Sequence, residues 1–238
     1  MEILSKKNVL IVGATGGIGS EACKLICNNQ ANVFITSRDQ QKLDSLGDLC
    51  KIPTSQRFLL DITQPKEIEQ LVDNIYALVE RVDILINASG VGIIKPIESL
   101  SIEDFDRSID INLKGNFYLL KHFLPKMKAE KKGLIINIPG VLGKAPMAGA
   151  AAYSASKYGL NGMLKSVREE LKRTNVRITN LYLGGVDSPF WDEIDMRVNR
   201  DKFITAKEAG RAIWFLCQQP SSGVVSEMVI QPFNHQVL

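Results

Sequence analysis

Seven short runs rich in β-branched and large apolar residues recur along the 238-residue chain: NVLIV (8–12), NVFITS (32–37), RFLLD (57–61), VDILINAS (82–89), GLIINI (133–138), VRITNLYL (176–183) and EMVIQP (227–232). The segments between them carry helical spacing. In PKEIEQLVDNIYALVERV (65–82), Ile68, Leu71, Val72, Ile75, Leu78 and Val79 fall on one face, and Pro65 stands where a helix begins. The runs themselves are apolar almost throughout, the pattern of strands buried on both faces. Strand and helix alternating in this way imply βαβ units and a parallel sheet with helices on both sides, a doubly wound α/β fold. No linker rich in proline or serine and no internal repeat divides the chain, so residues 1–238 read as one domain. The irregular stretch 184–204, with Phe190 and Trp191, reads as a mobile substrate loop.

The first strand runs into a glycine-rich turn. VLIVGATGGIGSEACKLI places Gly13, Thr15, Gly16, Gly17, Ile18 and Gly19 between that strand and an amphipathic helix. A tight turn of bare backbone leading into a helix N-terminus suits a pyrophosphate, which needs close approach, free N–H groups and a positive dipole end. Gly16 and Gly17 would otherwise weaken a helix start for no packing reason. Asp39 lies about where an acid for a ribose would be sought, but its place before QQKLDSL suits an N-cap better. Ser37 and Arg38 then face the ribose, where a hydroxyl and a guanidinium favour a 2′-phosphate, and so NADP(H) over NAD(H).

The formal charge of +3 and scattered basic residues argue against a nucleic-acid interface; KMKAEKK (126–132) reads as the solvated end of a helix. The N-terminal stretch has only short apolar runs, too short for a signal peptide or membrane span, so the expected location is cytoplasmic. Cys23, Cys27, Cys50 and Cys217 show no paired metal spacing, Cys23 and Cys27 read as packing on one helix face, and only His122 and His235 could assist. No metal site is expected.

Four motifs in order, GATGGIG (13–19), NASG (87–90), INLKG (111–115) and YSASK (153–157), resemble those of the short-chain dehydrogenase/reductase family, and the resemblance covers nearly the whole chain. It implies a Rossmann-type domain with a seven-stranded parallel sheet in the order 3-2-1-4-5-6-7. It also implies NAD(P)(H), a small carbonyl or alcohol substrate, and a homodimer or homotetramer. By position, Asp61 resembles the residue that bonds the adenine, with Ile62 beside it, and Asn87, Ala88 and Gly90 resemble the stretch lining the cofactor. Asn112 resembles the asparagine of the proton relay, Tyr153 the acid/base and Lys157 its partner. Ser188 resembles the residue that contacts the nicotinamide carboxamide, and Gly184 and Val186 before it fall among the cofactor-binding positions that the resemblance implies. The C-terminal part is also similar to sepiapterin-reductase-like members.

The chain departs from that pattern at several positions. Val12 stands where the family usually has threonine, Gly16 where NADP-preferring members often have a basic residue, and Leu183 where it has proline. The largest departure is Gly140, in NIPGVLG, where the family writes a serine. Carbonyl reduction builds negative charge on oxygen, so the site must donate a proton and hydrogen bonds. Tyr153 can do both, with Lys157 four residues on and on the same helix face to supply a cation. Without a hydroxyl at Gly140 one oxyanion donor is missing, a loss of about 10²–10³ in rate. Two readings follow: a reductase of impaired or restricted activity, in which Gly140→Ser raises turnover, or a dinucleotide-binding protein that senses cofactor or serves as a subunit. Ile93, Val141, Met147, Phe190 and Trp191 point to an apolar or aromatic-ring substrate.

Overall fold

The computed structural model describes residues 4–238; Met1, Glu2 and Ile3, which begin the N-terminal stretch and the domain read above, lie outside the described residues. Strand and helix alternate from the start: β1 (Asn8–Val12), α1 (Gly17–Asn28), β2 (Asn32–Ser37), α2 (Gln40–Leu49), β3 (Arg57–Leu59), α3 (Pro65–Leu78) and β4 (Ile84–Asn87). There follow α4 (Ile102–Ile109), α5 (Gly115–Ala129), β5 (Gly133–Asn137), α6 (Ala151–Glu170) and β6 (Val176–Leu183). Two short strands, β7 (Val186–Asp187) and β8 (Ile204–Thr205), precede α7 (Ala206–Leu216) and β9 (Glu227–Ile230). Seven strands form one sheet in the order β3-β2-β1-β4-β5-β6-β9, every neighbouring pair parallel.

The apolar runs are explained by two cores, one on each face of this sheet. Val9 and Ile11 of β1 pack with Ile35, Ile86, Ile136 and Leu181 on one side, against residues of α1 and α7. Leu10 and Val12 pack with Phe34, Leu85, Ile135 and Ile178 on the other, against α3, α5 and α6. Alternate side chains point to opposite faces, so a strand covered on both sides has no polar position to spare.

The sequence reading of α3 needs one correction. Ile68, Leu71, Val72 and Ile75 are buried as the spacing requires, but Leu78 is 49% exposed. The helix ends there, and Val79 turns to extended backbone, which carries the chain off the helical face. The strands read as 57–61 and 82–89 are also shorter, because only Arg57–Leu59 and Ile84–Asn87 find ladder partners.

Chain order from β1 runs outward to β2 and β3, then returns so that β4 lies on the other side of β1. Helices leaving these strands diverge and open a crevice at their carboxyl ends, where such sheets take ligands. Between α4 and α5, residues Asp110–Lys114 widen into a turn of π-helix. Such bulges concentrate at functional sites, and this one holds Asn112.

Candidate active site

The crevice is a groove of about 590 Å³. Helix α1 begins at its edge with Gly16 as N-cap, no side-chain hydrogen bond on that cap and no acid in its first turn. Its leading N–H groups and positive dipole end therefore stay available to an anion. Gly13, Thr15, Gly16 and Gly17 line the groove, whereas Ile18 packs into the core and Gly19 is buried beneath the turn. Gly17 has a packing reason that its position in the sequence did not show: a Cβ there would lie 2.7 Å from Cβ of Ser188 and 3.1 Å from Cδ of Pro189. The loop after β7 thus rests directly on the glycine turn.

Ser37 and Arg38 both line the groove, with different freedom. Ser37 is buried, its hydroxyl 2.7 Å from that of Thr15 and accepting from the Asp39 amide at 3.1 Å. Arg38 is exposed and lines the groove. Asp39 caps α2, accepting from the Lys42 amide at 3.0 Å, and Lys42, its ammonium 3.7 Å from the Asp39 carboxylate, lines the same groove. Lys42 was not singled out in the sequence, although its place one turn beyond a capping aspartate carries the signal.

Several residues assigned by position do not line the groove. The Asp61 carboxylate accepts from the amide and hydroxyl of Thr63 at 2.9 and 2.8 Å and lies in a neighbouring cleft beside Arg38, while Ile62 does line the groove. Ala88 and Gly90 line it too. Asn87 is buried and acts as a brace: its carbonyl oxygen accepts from the amide and hydroxyl of Ser89, and its amide donates to Asn116 at 2.5 Å. Asn116 in turn donates to the backbone carbonyl of Asn112 at 2.8 Å.

Tyr153 and Lys157 lie one turn apart on α6. Lys157 is 3% exposed, with Nζ donating to the Ile138 carbonyl at 3.2 Å and standing 5.5 Å from the Tyr153 ring centre. Asn112, fully buried, accepts from the Val91 amide and donates to the Val91 carbonyl, both at 2.9 Å, and donates to Ser156 Oγ at 3.1 Å. A Cβ on Gly90 would meet Asn112 Oδ1 at 3.1 Å and Lys157 Nζ at 3.5 Å, so both groups converge on that glycine. Burial acts on the pair in opposite senses. It pulls Lys157 down to about 8 and pushes the Tyr153 phenol well above its ordinary value. At neutral pH Tyr153 keeps its proton, and Lys157 is mostly charged.

Beyond Tyr153 opens a second cavity of about 650 Å³. Val141, Met147, Phe190 and Trp191 line it as expected; Ile93 is buried and its neighbour Ile94 takes the wall instead. Aromatic rings step away from the tyrosine: Tyr153 to Phe190 at 5.9 Å, Phe190 to Trp191 at 5.4 Å and Trp191 to Phe203 at 5.2 Å between centroids. Gly184 lines this cavity rather than the groove, Val186 is buried with its carbonyl accepting from the Trp191 indole at 3.0 Å, and Ser188 is buried against Gly17. Within 184–204, β7 pairs with β8, and Arg200 bridges Asp187 at 2.8 Å and Asp192 at 2.7 Å. Gln231, Pro232, Asn234, His235 and Val237 complete the wall, none of them anticipated as cavity residues.

Gly140 also lines the cavity; a Cβ there would lie 3.9 Å from the Tyr153 hydroxyl and 3.6 Å from the Leu183 carbonyl. There is room for a side chain, but the backbone stands at φ +72°, ψ 167°, a region essentially reserved for glycine. The amide of Gly143 then closes back on the Gly140 carbonyl at 3.1 Å. The expectation that serine could simply be restored here therefore acquires a conformational cost.

Residues 7–199 match the short chain dehydrogenase family. An uncharacterized oxidoreductase of Staphylococcus saprophyticus is 30% identical over 246 residues, covering 100% of both chains. Among solved structures, a metagenomic short-chain oxidoreductase in complex with NADP superposes with TM-score 0.84 at 29% identity, covering 97% of this chain and 99% of the other. Serine dehydrogenase from Escherichia coli does so with TM-score 0.85 at 27% identity, covering 96% and 99%. With the parallel sheet, the uncapped glycine turn and the buried Tyr153–Lys157–Asn112 cluster already in place, these matches show that the chain belongs to the short chain dehydrogenase family of oxidoreductases.

Proposed function

We propose that the protein is an NADP(H)-dependent reductase of a small, largely apolar carbonyl compound, with Tyr153 as the proton donor. The observation that carries this reading is the position of Tyr153: its hydroxyl lies in the cavity, while Lys157 on the same helix turns toward Gly90 at the groove. The groove fits a dinucleotide. Gly13, Gly16 and Gly17 leave room for a pyrophosphate at the bare start of α1, and Arg38 and Lys42 supply cations at the ribose end. Asp39 is engaged at its cap, which removes the acid that would prefer an unphosphorylated ribose. The NADP complex of the metagenomic relative supports the same choice; NAD(H) remains the weaker alternative ligand.

When bound, the cofactor supplies the hydride. The chain's own residues do the rest. The half-buried Tyr153 presents a protonated phenol to the substrate oxygen, and Lys157 holds a positive charge behind it that stabilises the phenolate as the proton leaves. Asn112, locked by Val91 and Ser156, fixes the floor of the pair. With Gly140 in place of a hydroxyl, Tyr153 carries the developing charge with fewer partners, which restricts turnover to substrates that the apolar cavity positions well. Phe190 and Trp191 favour a ring or branched apolar body, and Asn199, Lys202 and His235 in the same wall suit a polar end. Exposed Phe117 on α5 and Tyr158 on α6 support assembly into a homodimer or homotetramer.

The test is oxidation of NADPH and NADH by wild type, Gly140→Ser and Tyr153→Phe on a panel of diketones, quinones, pterins and β-keto esters. The reading expects NADPH-driven turnover in wild type that falls by about 10²–10⁴-fold in Tyr153→Phe. Tight NADPH binding with no turnover on any member of the panel would replace the enzyme with a cofactor-binding protein.

A further inference from the structure

Away from the groove, three cysteines meet. Cys23 and Cys27 share one face of α1, as their spacing requires, and the fold adds Cys50, the C-cap of α2, which comes from the next βα unit. The three sulfurs all lie within 4.8 Å of one another, and Cys23 Sγ stands 3.9 Å from Cys50 Sγ. Sequence spacing hid this trio because the third thiol arrives through tertiary structure rather than through a CxxC-like repeat.

A zinc–thiolate bond is about 2.3 Å, so sulfurs sharing one ion are separated by about 3.8 Å in tetrahedral and about 4.0 Å in trigonal geometry. The Cys23–Cys50 distance already falls in that interval, and closing the others requires only side-chain rotation or a small shift. Cys23 is buried, while Cys27 and Cys50 are partly exposed, which leaves an entry path.

We propose that Cys23, Cys27 and Cys50 form a binding site for a soft divalent d10 cation of the Zn2+ type, tying α1 to the end of α2. Three thiolates around a divalent ion leave one net negative charge, and around a monovalent ion two. A site packed against an apolar core favours the smaller residue of charge. Thiolate ligands select such soft ions over Mg2+ or Ca2+. Both helices begin at the dinucleotide groove, α1 with Gly16 and Gly17 and α2 with Asp39 and Lys42, so an ion at their other end would brace the groove from behind.

The experiment is titration of the fully reduced wild-type protein with Zn2+ and with Cd2+. The expected result is one ion per chain, an ultraviolet thiolate-to-cadmium charge-transfer band and a rise in thermal midpoint that grows with free ion. Binding should be lost in Cys50→Ser and Cys27→Ser and retained in Cys217→Ser, whose buried thiol is not part of the trio. A measurement on wild type alone guards against misfolded variants: Zn2+ should protect Cys27 and Cys50 from alkylation, read by peptide mass, while Mg2+ should not. Equal ion binding in wild type and Cys50→Ser, or alkylation of both thiols at an unchanged rate under saturating Zn2+, would overturn the proposal.

Discussion

The groove and the cavity on either side of Tyr153 are built by different means. The groove takes its anion-facing end from backbone, a glycine turn and the start of α1, with side chains such as Arg38 and Lys42 only at its other end, and is braced by Asn87, which donates to Asn116, which donates to the Asn112 carbonyl. The cavity is made of side chains from segments distant in sequence, including 141–147, 190–203 and 231–237. A backbone site tolerates few residues and looks much the same wherever it recurs; a side-chain site can be rebuilt one residue at a time. The departure at Gly140 falls at the seam, where a loop of the second kind meets chemistry of the first.

The sharpest way to break this division is at Tyr153. Tyr153→Phe should lower turnover by about 10²–10⁴-fold while leaving NADPH affinity close to wild type. Loss of affinity on the same scale would mean that groove and cavity are not separable. Turnover should also depend on pH through Lys157: reduction should fall as pH rises through about 8, where the buried ammonium loses its proton.

Lys157 gives the next largest effect, in stability. Its folded-state pKa of about 8 lies below the 10.5 of a free lysine, so between these values the unfolded chain binds more protons than the folded one. Stability therefore rises with pH across that window, and the cost of the buried cation is present in full below it. Lys157→Met should abolish turnover yet stabilise the apoprotein by about 3 kcal/mol at neutral pH. Urea unfolding should show the gain shrinking toward zero above the upper value.

Gly140→Ser probes the seam. Forcing a Cβ into that backbone region should cost about 1–3 kcal/mol of stability. Turnover should stay short of the full gain that a lost oxyanion donor would represent. A stable, fully accelerated variant would show that the loop re-forms around serine. The smallest effect belongs to the ribose end: Arg38→Ala should weaken NADPH by about tenfold, or about 1.4 kcal/mol, with NADH nearly unchanged. Equal losses for both would remove the 2′-phosphate from the reading.

How much of this was visible in the sequence follows the same division. The strands, the glycine turn and the Tyr153–Lys157 pair are local patterns, set by periodicities of two and 3.6 residues and by a one-turn helix spacing. Leu78 failed because periodicity cannot say where a helix stops. Asp61 lies in the neighbouring cleft and Gly184 in the cavity wall because position in a motif does not fix which wall a residue joins once Thr63 hydrogen-bonds the Asp61 carboxylate and Pro232 packs against Gly184. The reason for Gly17 and the meeting of Cys50 with Cys23 were out of reach for a common cause, since both depend on atoms contributed from far along the chain.

The left-handed backbone at Gly140 also bears on how this protein can change over time. A glycine encoded by GGT or GGC lies a single base from serine, so mutation can offer the substitution in one step from those codons. Its acceptance carries the conformational cost of the turn that Gly140 makes toward Gly143. The conformation thus sets a threshold: a serine at this position is accepted at lower cost once the loop has changed elsewhere.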